Sequence, residues 1–117
     1  MGLNIFTIMG RTMKHYNHTF VSDVKQSLSS LSVVLKNPDT YEPITGVLIS
    51  VETNAIRFTT DGLTEPVAGS IGHSVSAGGT LYLTNVEQIN NLEICNSAAG
   101  SNAVIQISTE IRKGRFV

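Results

Sequence analysis

From Gly46 to Thr109 the sequence changes character at every second residue. Val47, Ile49 and Val51 alternate with Leu48, Ser50 and Glu52; Ile56 and Phe58 alternate with Arg57 and Thr59; Ile105 and Ile107 alternate with Gln106 and Ser108. Side chains on an extended chain point to opposite faces in turn, so each run offers one apolar face, a period that suits a sheet and not a helix. Turn residues punctuate the runs. In Thr60-Asp61-Gly62-Leu63, Asp tolerates and Gly favours positive φ, so Asp61 and Gly62 are expected to close a hairpin. A loop carrying Pro66, Gly69 and Gly72 follows, and Ala77-Gly78-Gly79 ends it before a strand at Thr80 to Leu83. From Gly72 through His73 to Gly78 and Gly79 this loop is expected to let backbone approach backbone closely. One stretch breaks the alternation: Val86, Ile89 and Leu92 recur every third residue behind Asn85, a residue type that caps helices, which predicts a single helical turn. Leu92 to Cys95 returns to extended chain, and the small residues from Asn96 to Asn102 form a turn before a last strand at Ala103 to Thr109.

The first 45 residues are less regular. Phe20 to Val24 and Leu31 to Leu35 read as strands, although Val24, Leu28 and Leu31 would also suit a short helix. Asn37-Pro38-Asp39-Thr40 is a turn in which Pro fixes φ and Asp39 is expected to bond the backbone beyond it. Residues 1–17 are expected to be an N-terminal arm or an edge strand, and residues 18–117 the main domain. Seven or eight short strands in 117 residues define an all-β, single-domain β-sandwich, jelly-roll-like, with a small barrel as the other arrangement.

Charge is sparse and unevenly placed. Net charge is −1, yet between Thr45 and Glu110 the one Lys or Arg is Arg57, against Glu52, Asp61, Glu65, Glu87, Glu93 and Glu110. Both ends are basic, through Arg11, Lys14 and His15 and through Arg112, Lys113 and Arg115. These terminal cations are candidate partner contacts, able to pair with the acidic body of a neighbouring copy or with another acidic surface. Arg57 is a further candidate, with a pair to Asp61 or Glu52 inside the chain as its simpler role. The apolar run Leu3 to Met9 has its basic residues behind it, the wrong order for a secretory signal. No stretch approaches the roughly 18 apolar residues of a membrane helix, and no membrane partner is expected.

Known site chemistries fit poorly. His73 and Ser74 adjoin, but a nucleophilic serine needs a base within reach and a third group to orient it, and G-x-S-x-G is absent because Ser76 stands at its second glycine. His15 and His18 lack a third metal ligand nearby, and the one cysteine, Cys95, has no partner for a disulfide or a metal site. Gly69-Ser70-Ile71-Gly72 has no following Lys or helix to hold a phosphate. Tyr16, Tyr41 and Tyr82 are scattered, without the basic stripe that nucleic acid requires. The chain is therefore expected to be no enzyme and to use no cofactor or metal.

Residues 46–109, taken together, resemble a module of small virion proteins of tailed bacteriophages. The resemblance rests on Glu52 and Thr53, on Ile56-Arg57-Phe58-Thr59 with Asp61-Gly62, on Gly72-His73, Ala77-Gly78 and Leu81-x-Leu83, and on Ile89 in the helical turn. Gly79 stands where that module usually has an aspartate. The resemblance implies a β-sandwich of an icosahedral head, made in the host cytoplasm and carried on the capsid surface. Its implied role is a decoration or cement protein that clamps neighbouring major capsid subunits, as a homotrimer. A head-to-tail connector or tail component is the alternative in the same setting, and a non-enzymatic glycan-binding module the alternative outside it.

Overall fold

The computed structural model of the protein describes residues 11–111, with side chains from Lys14 onward. Among the described residues, eight strands and one short helix follow in order: β1 Arg11–Thr19, β2 Gln26–Ser27, β3 Gly46–Thr53, β4 Ile56–Thr59, β5 His73–Val75, β6 Thr80–Leu83, α1 Val86–Asn91, β7 Glu93–Asn96 and β8 Val104–Ile111. They form two antiparallel four-stranded sheets, the first ordered β1-β8-β3-β6 and the second β2-β7-β4-β5. First strand pairs with last, second with second-to-last, third with third-to-last, and fourth with fifth. The chain thus runs as one long antiparallel ribbon folded back on itself, and β8 and β7 then meet β3 and β4 to complete the sheets.

The all-β expectation holds, in a sandwich-like arrangement with one core between the sheets. Val47, Ile49 and Val51 of β3 face Ile105 and Ile107 across the first sheet's inner side, while Ile56 and Ile94 close the core from the second. Strand β8 shows the alternation most cleanly, buried at Ile105, Ile107, Thr109 and Ile111 and partly exposed between. The helical turn also forms as read. The Asn85 side chain accepts the Gln88 N–H at 3.1 Å, which satisfies one of the donors a helix start leaves unpaired, and Ile89 and Leu92 are buried beneath it.

Four local expectations are corrected. Phe20 to Val24 and Leu31 to Leu35 are not strands, and the second strand is the two-residue Gln26–Ser27 between them. Leu31 N–H instead turns back to the carbonyls of Ser27 and Leu28, so this segment has no neighbouring strand although Val33 still points into the core. Asp61 and Gly62 do not close a tight hairpin: β4 pairs with β5 in the register Phe58↔His73, so the connection spans residues 60–72. His73 is accordingly a strand residue rather than a loop residue. At the 37–40 turn it is Asn37, not Asp39, whose side chain bonds the backbone, accepting from Asp39 N–H at 2.8 Å and Thr40 N–H at 3.3 Å. Strand β1 runs across the boundary between residues 17 and 18, paired with β8 from Arg11↔Ile111 to Thr19↔Val104, so from Arg11 onward the chain is an edge strand of the first sheet.

Candidate interaction face

The two sheets treat their outer sides differently. On the second, Arg57 and Cys95 stand opposite each other in register and point away from the core, yet Cys95 is fully buried. The 60–72 loop covers that side. Gly69 N–H donates to Ser97 O at 2.6 Å, the Thr59 hydroxyl to Thr64 O at 2.6 Å, and Arg57 Nη1 to Gly72 O at 3.0 Å. Lys25 adds an ion pair to Glu93 at 2.9 Å and a longer one to Glu65 at 3.9 Å. Gly72 lies so near the strand that a Cβ there would come within 3.0 Å of Phe58 O, and its φ of +113° is one a side chain resists.

The expected pairing of Arg57 with Asp61 or Glu52 is therefore corrected: its guanidinium clasps the backbone carbonyls of Gly72 and, at 3.4 Å, Ser97. Burial raises the pKa of the Cys95 thiol, with the nearby Arg57 charge pulling the other way. Asp61 organises the loop from within. Its carboxylate accepts the N–H groups of Thr64 and Leu63 and the Thr64 hydroxyl, which lowers its pKa to about 2. Gly62 sits beside the Asn91 side chain. Gly78 N–H donates to Val51 O, and Gly79 O accepts from Val51 N–H, so the pair ties the β5–β6 connection to β3.

The end of the core nearest this loop is held by a buried asparagine that the sequence did not single out. Asn96 donates to Ser22 O, Asp23 Oδ1 and Asn102 Oδ1 at 2.9–3.1 Å and accepts from Ala103 N–H at 2.9 Å. Asp23 in turn accepts from Gly100 N–H, and these bonds, Asn96 foremost, lower its pKa. A buried side chain that bonds two separate loops fixes both. The clue available was the first Asn of the Asn96 to Asn102 turn.

The first sheet's outer side is open among the described residues. Cross-strand pairing lays its side chains out in rows, His15, Ser108, Leu48 and Tyr82 in one, Asn17, Gln106, Ser50 and Thr80 in the next. They bond to one another. His15 Nδ1 meets the Ser108 hydroxyl at 2.9 Å and its Nε2 meets Gln106 Oε1 at 2.8 Å. Gln106 Nε2 reaches Glu52 at 3.4 Å, and the Tyr82 hydroxyl donates to Glu110. An amide oxygen only accepts, so Nε2 donates to Gln106. Leu48 and Tyr82 remain 38% and 40% exposed.

The catalytic and metal arrangements weighed in the sequence are not assembled. His73 and Ser74 follow each other on β5 and so point to opposite sides of the sheet; the His73 ring lies 5.4 Å from that of Phe58, while Ser74 faces Ser97. His15 and His18 likewise occupy opposite faces of β1, His18 stacking edge-on against Phe20 at 4.9 Å. The Ser108–His15 contact does form, but its third member is a glutamine, which cannot stabilise an imidazolium as a carboxylate would. An open hollow of about 410 Å³ lies beside Asp61, Thr64, Gly72 and His73, and Asp61 is already engaged there by the loop. Among the described residues no cluster of three His, Cys, Asp or Glu is placed to hold a metal ion, and no helix is long and apolar enough to cross a membrane. Lys14 is exposed, its Nζ 5.6 Å from the Tyr16 ring centre. Arg11 begins β1; Arg112, Lys113 and Arg115 lie outside the described residues. No protein-family model matches the chain, and neither does any curated protein or any solved structure.

Proposed function

We propose that the chain is a jelly roll serving as a structural protein of a tailed-phage virion, most directly a capsid decoration protein that clamps neighbouring major capsid subunits. The observation that carries this reading is the strand order, β1-β8-β3-β6 against β2-β7-β4-β5. An eight-stranded ribbon folded back on itself into two sheets is the jelly-roll arrangement, which recurs in viral capsid and lectin domains. The resemblance of residues 46–109 to small virion proteins favours the capsid branch. Made in the host cytoplasm, the chain would act on the outside of the finished shell and without turnover. Whatever binds the assembled shell but not its separated subunits stabilises the shell by mass action.

Counting copies of this chain per intact particle, by quantitative mass spectrometry against the major capsid protein, tests the reading. Parity, on the order of hundreds of copies, is the expected result. About a dozen copies would place the chain at the neck or tail instead, and its absence from particles would overturn the proposal. Because lectin domains share the architecture, a glycan array serves as the counter-test, with no binding expected.

A further inference from the structure

We propose that the open hollow at the 60–72 loop is a docking site for a protein partner, and that it takes an arginine side chain flanked by aliphatic residues. The inference goes beyond the virion reading and stands on the hollow alone; within that reading the arginine belongs to a capsid subunit.

The Asp61 carboxylate lines this hollow of about 410 Å³, and the loop holds it without neutralising it. Its three donors, the N–H groups of Leu63 and Thr64 and the Thr64 hydroxyl, are all uncharged. They keep it ionised, with its pKa lowered to about 2, and no Lys, Arg or His among the described residues comes within ion-pair distance of it. Two of the bonds end on Oδ1 and one on Oδ2. A carboxylate accepts about four, so Oδ2 keeps a lone pair for one more donor. The hydroxyls of Thr60 and Thr64 stand beside it as further acceptors. An acceptor-rich hollow with one fixed negative charge suits a group with several donors, one positive charge and no acceptor, and a guanidinium is such a group. Arg57 does not fill the role, because its guanidinium is tied to Gly72 O and Ser97 O and does not line the hollow.

A strip of aliphatic surface begins at the rim. Val67 and Ile71 face each other as an isolated bridge, each N–H donating to the other's carbonyl at 2.9 and 3.0 Å, which sets their side chains next to one another on one side. They are 45% and 42% exposed, and Ile71 itself lines the hollow. The methylene stem of an arginine packs along apolar surface while its head reaches a charge. An aliphatic neighbour in the partner then covers Val67. The walls are set beforehand by the Thr59 hydroxyl on Thr64 O and by Arg57 on Gly72 O, so docking has little left to order.

Other occupants fit less well. One carboxylate lines the hollow, and among the described residues no three His, Cys, Asp or Glu are placed to hold a metal ion. A sugar ring finds no Tyr, Phe or Trp among the lining residues to stack on. A phosphate meets the like charge of Asp61.

The probe is the neutral-ended peptide acetyl-Leu-Arg-Leu-amide, titrated into the isotope-labelled full chain while its amide NMR signals are followed. Saturable shifts centred on Asp61, Thr64, Gly72 and His73 are expected, with a Kd in the millimolar range. Replacing the arginine by citrulline, which keeps the shape and removes the charge, should weaken binding at least tenfold. Raising the salt from about 0.1 M to about 1 M should weaken it as well. Ile71→Lys sets the chain's own ammonium at the rim and should abolish binding, and Asp61→Asn should weaken it at least tenfold. Val67→Lys repeats the test should either variant lose the amide pattern of the folded sheets. Shifts that do not saturate, an equal response to the citrulline peptide, shifts spread over the acidic body, or unchanged binding by Ile71→Lys would overturn the inference. So would galactose producing the same shifts, which would make the hollow a sugar site. The two proposals fail separately: a chain that binds the peptide but is absent from particles keeps the site and loses the virion role, while a chain at parity with the capsid protein that ignores the peptide does the reverse.

Discussion

The two sheets share one core and part company on their outer sides. The first has three long strands, nine residues in β1 and eight each in β3 and β8, beside the four-residue β6, and polar side chains on its outer side bond sideways to each other. The second is built of strands of two to four residues, and loops cover what the strands are too short to complete. The long ladders of the first sheet thus keep an outer side that its own side chains cross-link, while the short ladders of the second are overlaid by the chain's own connections.

The shared core gives the largest expected effects. Ile107→Ala in the first sheet and Ile94→Ala in the second remove fully buried side chains, and each should cost about 2–5 kcal/mol in urea unfolding. One sheet unfolding well before the other would break the picture of a common core. Next comes Asn96→Ala, which strands the buried Ala103 N–H and should cost about 1–3 kcal/mol; a neutral result would mean the two loops it bonds hold themselves. Arg57→Ala should release the 60–72 loop from Gly72 and Ser97 at a cost of about 1–2 kcal/mol. Its sharper readout is the rate at which a thiol reagent modifies Cys95, expected to rise at least tenfold if the lid is what protects that thiol.

Acid should act on the loops before it acts on the first sheet. Asp61 is held down to about 2 and Asp23 is also lowered, so their folded forms bind protons less readily than the unfolded chain, whose aspartates titrate near 3.9. The stability they supply is complete above about pH 4 and disappears as pH falls through the folded values. Asp61→Asn should flatten that part of the pH–stability curve, and an unchanged curve would show that the loop does not depend on the carboxylate. The smallest effect belongs to the open face: Ser50→Ala should change the stability of the single chain by no more than about 0.5 kcal/mol.

Legibility from sequence follows the same division. The alternation at Val47 to Val51 and at Ile105 to Ile107 fixed which residues face inward, because one side of a long strand is dry and the other wet. The Asn85 cap and the spacing of Ile89 and Leu92 disclosed the helical turn for an equally local reason. Phe20 to Val24 misled because strand-like composition says nothing about whether a partner strand is alongside, and here a turn at Ser27 to Ser30 intervenes. Asp61 reads as a turn residue from its sequence neighbours, but the length of the connection it organises depends on β5 pairing with β4, a non-local fact. The face itself was invisible in the same way: His15 and Ser108 are 93 residues apart, and only the ladder brings them together.

The folded-back ribbon also orders events in time. Of the paired strands, β4 and β5 are the nearest in sequence and meet across the 60–72 loop, whereas β1 and β8 are the farthest apart. Closing a loop costs more entropy the longer it is, so each inner pairing shortens the search left for the next one outward. The ribbon should therefore zip from its middle to its ends, at the slow rates of folds dominated by distant contacts. Until the last ladder closes, β8 lacks its partner along one edge, and during that interval a nascent copy is open to strand exchange with another.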